Sequence, residues 1–380
     1  MNKWLKSLAL LATLAFTPVM AEVEFEKKDV LISAEEAIKL IGKPGVMFVS
    51  GDSEDVYKLG HIKGSVSMYA HHLHHSDIMG NMHCDPFFRC VDDAEHYIGS
   101  KGIDNNTMVI AYDDYKGPNA TGVYAFFKSY GHNNVKILNG GRNAIMQLDP
   151  SQAKYVELKD LYKKHRKIAK KATKKLKKAK QGKITLTAEE VAELKNIVKD
   201  NKKKSKTYKK EYKAFEDNLL VVKGEEEVEA KTYHIDTAHL DTTRIAPKDE
   251  VAHASFDIVK NGKDSNYVII DTRGMAEIIG ERKMDNVARG GHVPGATFIE
   301  WKHVSDGENK LSFRDPAKLK ALFERYGVTK DKKIYAYCHV GTGRSSEIIT
   351  ALEMLGYPNA KIYTGSWDQW GNDMNLPIKR

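Results

Sequence analysis

The stretch "GHIKGSVSMY" at 60–69 returns as "GHVPGATFIE" at 291–300, and "VKILNGGRNAI" at 135–145 returns as "AKIYTGSWDQW" at 360–370. Between them, "AYDDYKGPNATG" at 111–122 aligns with "AYCHVGTGRSSE" at 336–347, which sets Asp113 on Cys338, Gly131 on Gly356 and Gly140 on Gly365 without a gap. A repeat of that length is a duplicated domain, so the chain must build one fold twice and accommodate whatever lies between the copies. Its 380 residues, 41% of them apolar, suffice for two cores of ordinary size.

Each copy alternates short apolar runs with helical patterns. "VMFV", "MVIAY" and "VKIL" are the strand candidates of the first copy, residues 22–149, and "NYVIID", "KIYAY" and "AKIYT" those of the second, residues 232–380. Such alternation predicts α/β units around a largely parallel sheet. Ser33 and Glu36 have capping-box spacing ahead of the first helix. The middle, residues 150–231, differs: it is long, nearly free of Gly and Pro, and rich in Lys with apolar residues at irregular three-and-four spacing. A helical hairpin turning near Gln181 and Gly182 fits it, with Thr187 and Glu190 as a second capping box.

The formal charge of +9 belongs to that middle segment. Residues 151–223 carry 24 Lys and Arg against 9 Asp and Glu, so the flanking domains are acidic and the charge does not mark a nucleic-acid binder. The hairpin reads either as a basic arm for an acidic partner or membrane surface, or as a solvated spacer. At the start, Lys3 and Lys6 precede an apolar stretch from Leu8 to Phe16 and a small-residue exit ending at Ala21. Residues 1–21 are therefore expected to be a secretory signal, placing the mature chain in the periplasm or outside the cell. In an oxidising compartment Cys84 and Cys90 can pair, leaving Cys338 as the odd thiol.

Cys338 stands where the apolar run "KKIYAY" hands over to a helical "SSEIITALEML". Backbone N–H groups at such a helix start lack helical partners and favour negative charge. Gly341 and Gly343 allow the backbone between His339 and Arg344 to curl so that several N–H groups converge, and Arg344 adds a permanent positive charge. A cysteine in that cradle is favoured as thiolate, and the cradle can hold an anion, or a persulfide, beside it. A small buried cysteine ending a strand is the plainer alternative.

The duplicated α/β unit, the "DTR" at 271–273, the "GHVPGA" at 291–296, the Cys-x-x-Gly loop and the closing "GSWDQWGNDMNLPI" together resemble the rhodanese family of sulfurtransferases. That resemblance covers both flanking regions and leaves the insert outside. It implies two rhodanese-like domains, each a mainly parallel sheet flanked by helices, with the Lys-rich helical insert between them. It is similar to tandem thiosulfate or 3-mercaptopyruvate sulfurtransferases, in which the C-terminal copy alone keeps the cysteine, and Asp113 fits a non-catalytic first copy. By the resemblance, Cys338 takes a sulfane sulfur from a small anionic donor and passes it to a thiophilic acceptor, with no organic cofactor. A redox or sulfur-acceptor protein is a possible partner. Arg273 and Arg344 are the candidates for holding the donor's anionic group, and His339, Val340, Gly341, Thr342 and Gly343 form the binding loop. Asp271 is expected to support the loop at its strand end, and His339 to face solvent. One departure stands out: "CHVGTGRS" is one residue longer than the usual six-residue loop and spells the Cys-x5-Arg signature of tyrosine phosphatases. Phosphatase or arsenate reductase is therefore the runner-up, and a persulfide carrier that docks to a partner is a third reading. Against a phosphatase, Tyr337 stands where that family has histidine.

"AHHLHHSDIMGNMHCDPFFRC" adds His71, His72, His74, His75, His83, Cys84 and Cys90. These residue types ligate transition metals, but the spacing matches no standard site, so no metal is assigned. A Cys84–Cys90 disulfide with surface histidines, or a loop lining the cleft between the copies, is the preferred account of them.

Overall fold

The computed structural model describes residues 23–73 and 91–380. The start at 1–21, and His74, His75, His83, Cys84 and Cys90 of the histidine-rich cluster, lie outside the described residues.

The first copy begins with β1 (Leu31–Ile32), α1 (Ala34–Ala37), β2 (Val46–Ser50), α2 (Glu54–Leu59), β3 (His61–Ile62) and β4 (Val66–Ser67). It continues with α3 (Val91–Ser100), β5 (Met108–Tyr112), α4 (Pro118–Ser129), β6 (Val135–Leu138) and α5 (Gly141–Leu148). Its sheet runs β1-β6-β5-β2-β4, all neighbours parallel. Both faces are covered, so the strands read as unbroken apolar runs: Val109, Ile110 and Ala111 of β5 are all fully buried. The Ser33–Glu36 capping box opens α1 as its spacing demands.

The insert comprises α6 (Pro150–Lys180), α7 (Ala188–Glu216) and β7 (Val221–Val222). Asp149 caps α6 through Ser151 N–H, and the Thr187–Glu190 box caps α7. The two helices lie against each other, joined through a turn in which Gly182 takes φ 68°. Few of their side chains are buried, among them Leu158, Ala169, Ala172 and Tyr212, and the lysines face water. β7 pairs antiparallel with β3, and Asp149 Oδ2 accepts from Leu220 N–H at 3.0 Å, so both ends of the insert are tied to one place on the first copy.

The second copy contains β8 (Ile245–Ala246), α8 (Lys248–Asn261), β9 (Tyr267–Asp271), α9 (Met275–Ile278) and β10 (Thr297–Phe298). It ends with α10 (Pro316–Arg325), β11 (Lys333–Tyr337), α11 (Arg344–Met354), β12 (Ala360–Tyr363) and α12 (Ser366–Asn372). Its parallel sheet, β8-β12-β11-β9-β10, repeats the topology of the first. The registers match as well: Ser50 lies opposite Tyr112 as Asp271 lies opposite Tyr337. That equivalence places Asp52 where the second copy has Arg273, Val56 where it has Glu277, and Asn119 where it has Arg344.

The copies are joined through α4 and α11. Phe126 and Phe127 of α4 share one apolar cluster with Ile348 and Leu352 of α11, so the core is continuous across the pair. Gly122 permits the approach: a Cβ there would sit 2.8 Å from Ala70 Cβ and 3.2 Å from Gly343 N.

Candidate active site

Cys338 follows the last residue of β11 and is 1% exposed. Gly341 N–H points at its Sγ from 3.3 Å, Ser345 Oγ lies 3.6 Å from it, and the Thr342 carbonyl lies at 3.8 Å. The loop is fixed from behind by α12 and the turn before it. Cys338 N–H donates to Ser366 Oγ (3.1 Å), Trp367 N–H to the Cys338 carbonyl (3.1 Å), and Asp368 N–H to the His339 carbonyl (2.9 Å). Gly341 adopts φ 88°, and a side chain there would run into the Thr364 backbone, so this position accepts only glycine.

The cradle is narrower than the sequence implies. Gly341 directs its amide at the sulfur, but Gly343 donates to Ser346 Oγ at 2.8 Å and closes the first turn of α11 instead. Thr342 is fully buried with its hydroxyl donating to the Ala70 carbonyl of the first copy at 2.9 Å, which makes it a latch between copies rather than a ligand. Val340 and Arg344 are the loop residues left partly exposed.

Arg344 faces the sulfur electrostatically. Burial would lower its affinity for a proton, but the adjacent Cys338 and the bonds to Glu277 outweigh this and raise it. Its Nη1 and Nη2 donate to Glu277 at 2.8 and 3.4 Å. Glu277 is itself buried, yet Arg344, Arg282 and Arg273 overcome that burial and hold its carboxyl down at about 2. Sequence reading missed Glu277, because its place on the short α9 carries no motif and its partner lies 67 residues away. Ser366 was missed for the same reason, lying 28 residues from Cys338, whereas Ser345 stands in the loop's own spelling without a role assigned to it.

Arg273 does not serve as a free anion ligand. It is 2% exposed, with Nε and Nη2 donating to Asp271 (3.0 and 2.7 Å), Nη2 also to the Gly291 carbonyl (2.7 Å), and its Cζ 4.6 Å from the centre of the Trp367 ring. Asp271 in turn accepts from Tyr337 Oη at 2.5 Å, and Tyr337 Oη accepts from Val293 N–H at 3.0 Å. This buried set ties the "DTR", "GHVPGA" and cysteine-strand motifs together, so Arg273 braces the site. His339 also departs from expectation: it is 8% exposed rather than solvent-facing, with Nε2 3.2 Å from Asn286 Oδ1, and burial pulls its ionisation below the usual histidine range.

The first copy supplies Tyr69, Ala70 and His71 to the same place, by way of the Ala70–Thr342 bond. Its own loop is plugged. Asp113, aligned with Cys338, accepts from the N–H groups of Gly117 (3.0 Å), Asn119 (3.2 Å) and Ala120 (3.3 Å). Burial first, then Asp52 and Asp114, push its carboxyl up to about 7. Among the described residues, no group of His, Cys, Asp and Glu converges to hold a metal ion.

Two parallel sheets of one topology, joined helix to helix, with a single cysteine loop on the second, define a tandem rhodanese arrangement. The family model described as rhodanese-like domain matches residues 33–148 and 255–373, and the chain belongs to that family. Among characterised relatives, the sulfur carrier protein TtuD of Thermus thermophilus is 25% identical over 93% of this chain and 97% of its own length. A thiosulfate sulfurtransferase of Azotobacter vinelandii is 35% identical over 30% of this chain and 41% of its own. In fold, the crystal structure of the 3-mercaptopyruvate sulfotransferase SseA from Escherichia coli matches with a TM-score of 0.56 at 20% identity, covering 89% of this chain and 98% of that one.

Proposed function

We propose that this chain is a sulfurtransferase that moves a sulfane sulfur from a small anionic donor, such as thiosulfate or a polysulfide, through a persulfide on Cys338 to a thiophilic acceptor such as cyanide or a thiol. The observation that carries the reading is the setting of Sγ: buried, faced by the Gly341 N–H, and within the field of Arg344. With thiosulfate, the Cys338 thiolate attacks the outer sulfur, a new S–S bond forms, and the old one breaks with its electron pair leaving on sulfite. Cyanide then takes the outer sulfur as thiocyanate and returns the thiolate. An amide donor and a guanidinium stabilise the sulfur anion before and after each transfer, and they need no rearrangement to do so. The relatives named for thiosulfate sulfurtransfer and sulfur carriage support this chemistry over phosphate hydrolysis.

Intact-protein mass spectrometry after exposure to thiosulfate, polysulfide and mercaptopyruvate, with Cys338→Ser as control, tests it. One added sulfur on the wild type alone is expected; hydrolysis of an aryl phosphate without sulfur uptake would replace the reading with a phosphatase. The full-length likeness to a protein named a sulfur carrier favours a second reading, in which Cys338 is loaded once and discharged by a partner. Release of thiocyanate over many turnovers with free cyanide separates the enzyme from the carrier. The lysines of α6 and α7 support docking of an acidic acceptor protein in either case; charge-neutral substitution of Lys171, Lys174, Lys175 and Lys178 would then slow delivery to that acceptor and leave cyanide turnover alone. The lysine-flanked apolar start supports export, which N-terminal sequencing of the mature chain would check by finding Glu22 first.

A further inference from the structure

His71, on the first copy, stands beside the cysteine loop of the second. Its Nε2 lies 3.2 Å from the point a Cβ would occupy on Gly343, and no protein partner engages that nitrogen among the described residues. The other ring nitrogen is taken: Nδ1 lies 3.1 Å from Tyr69 Oη, and the two rings pack with centroids 5.0 Å apart. The preceding residue, Ala70, is fully buried and clamped by the Thr342 hydroxyl, so the imidazole is held in place rather than draped over the surface. Burial first, and then the positive charge of Arg344 with lesser contributions from His72 and His339, bring the ring down to about 4. It is therefore held in its neutral form near neutral pH. In the tautomer where Tyr69 Oη donates to Nδ1, the hydrogen sits on Nε2 and faces the loop.

We propose that His71 is a substrate-contacting residue lent by the first copy, donating from Nε2 to the anionic end of the sulfur donor while Cys338 takes the outer sulfur. The proposal rests on the sulfur-transfer reading of Cys338 and adds a role for the otherwise non-catalytic copy. A neutral donor suits this position: it can bind the departing sulfite oxygens without adding a second full charge next to Arg344 and without surrendering its proton. Thiosulfate and the Cys338 thiolate become the persulfide and sulfite, charge conserved, with no proton leaving His71.

The test uses the full chain and follows loading of Cys338 by thiosulfate across a concentration series, then discharge of the preloaded persulfide by cyanide. His71→Ala is expected to raise the half-saturating thiosulfate concentration and slow loading by about tenfold, the scale of one hydrogen bond to a charged group. His71→Gln, which keeps an N–H donor, is expected to recover most of that loss, and His72→Ala, an exposed neighbour, to load like wild type. Discharge by cyanide, which carries no sulfonate, should be the same in all. Loading of His71→Ala at the wild-type rate would overturn the proposal, as would equal slowing of loading and discharge, or failure of His71→Gln to recover, since either marks a purely structural role. If the wild type itself takes up no sulfur, the sulfur-transfer reading falls together with this one; a normally loading wild type beside an unaffected His71→Ala removes this one alone.

Discussion

At the end of β5 the first copy presents Asp113 to the start of α4, and at the end of β11 the second presents Cys338 to the start of α11. The backbone plan is shared, but the surroundings are inverted. Around Cys338 stand Arg344 and Arg273, with Glu277 positioning the former and Asp271 the latter. Around Asp113 stand Asp52 and Asn119, bonded to each other at 3.0 Å, with Asn119 at the place of Arg344 and the nearby Arg142 guanidinium paired with Asp52 at 3.6 Å. One cradle thus holds a buried cysteine sulfur faced by a backbone amide, Gly341 N–H. The other is filled by the Asp113 carboxyl of its own chain, beside the acidic Asp52 and Asp114. Both copies share the frame, and a few charged positions distinguish their loops.

Exchanging the central residues should break the asymmetry most severely. Cys338→Asp is expected to abolish sulfur uptake entirely, and Asp113→Cys placed on a Cys338→Ser background should not restore it, because Asp52 and Asn119 repel or fail to hold an anionic donor. Uptake by that double variant in mass spectrometry would show that the frame alone suffices.

The braces differ in a way that denaturant titration can read. Asp271→Ala leaves Arg273 buried without its partner and should cost about 3–5 kcal/mol, whereas Ser50→Ala at the equivalent place should cost under about 1 kcal/mol. Similar losses at the two positions would show that the buried pair carries no special share of stability.

Asp113 gives the first copy a pH signature. Its carboxyl is raised from 3.8 to about 7 by burial. Between those values the folded chain keeps a proton that the unfolded chain has lost. The contribution is complete below about pH 4 and disappears as pH rises through 7, so stability declines across that window, by up to about 4 kcal/mol. In Asp113→Asn the decline should flatten, as measured by unfolding midpoints at pH 5 and pH 8. An unchanged slope would place the titration elsewhere.

Arg344→Ala should lower the loading efficiency about 100-fold, in line with removal of one preorganised charge from a closed site. Glu277→Gln should lower it less, about tenfold, because the guanidinium remains but loses its anchor. If Glu277→Gln equals or exceeds Arg344→Ala in steady-state loading, the carboxylate acts directly and not through Arg344.

The sequence by itself determined a great deal here. The repeat announced two copies, the apolar runs located β2, β5, β6, β9, β11 and β12, and the capping boxes located α1 and α7, because strand burial and helix capping are written in neighbouring residues. Cys338, Gly341 and Arg344 were legible for the same reason: a tight loop between a strand and a helix has a local spelling. The tertiary structure alone decided which side chains face the sulfur. Arg273 turned to Asp271 and Gly291, His339 to Asn286 and Gly343 to Ser346, while Glu277 and His71 came to the loop from elsewhere in the chain. A buried charge or polar group goes where its partner is, and the partner is chosen by packing between distant segments, which no local pattern encodes.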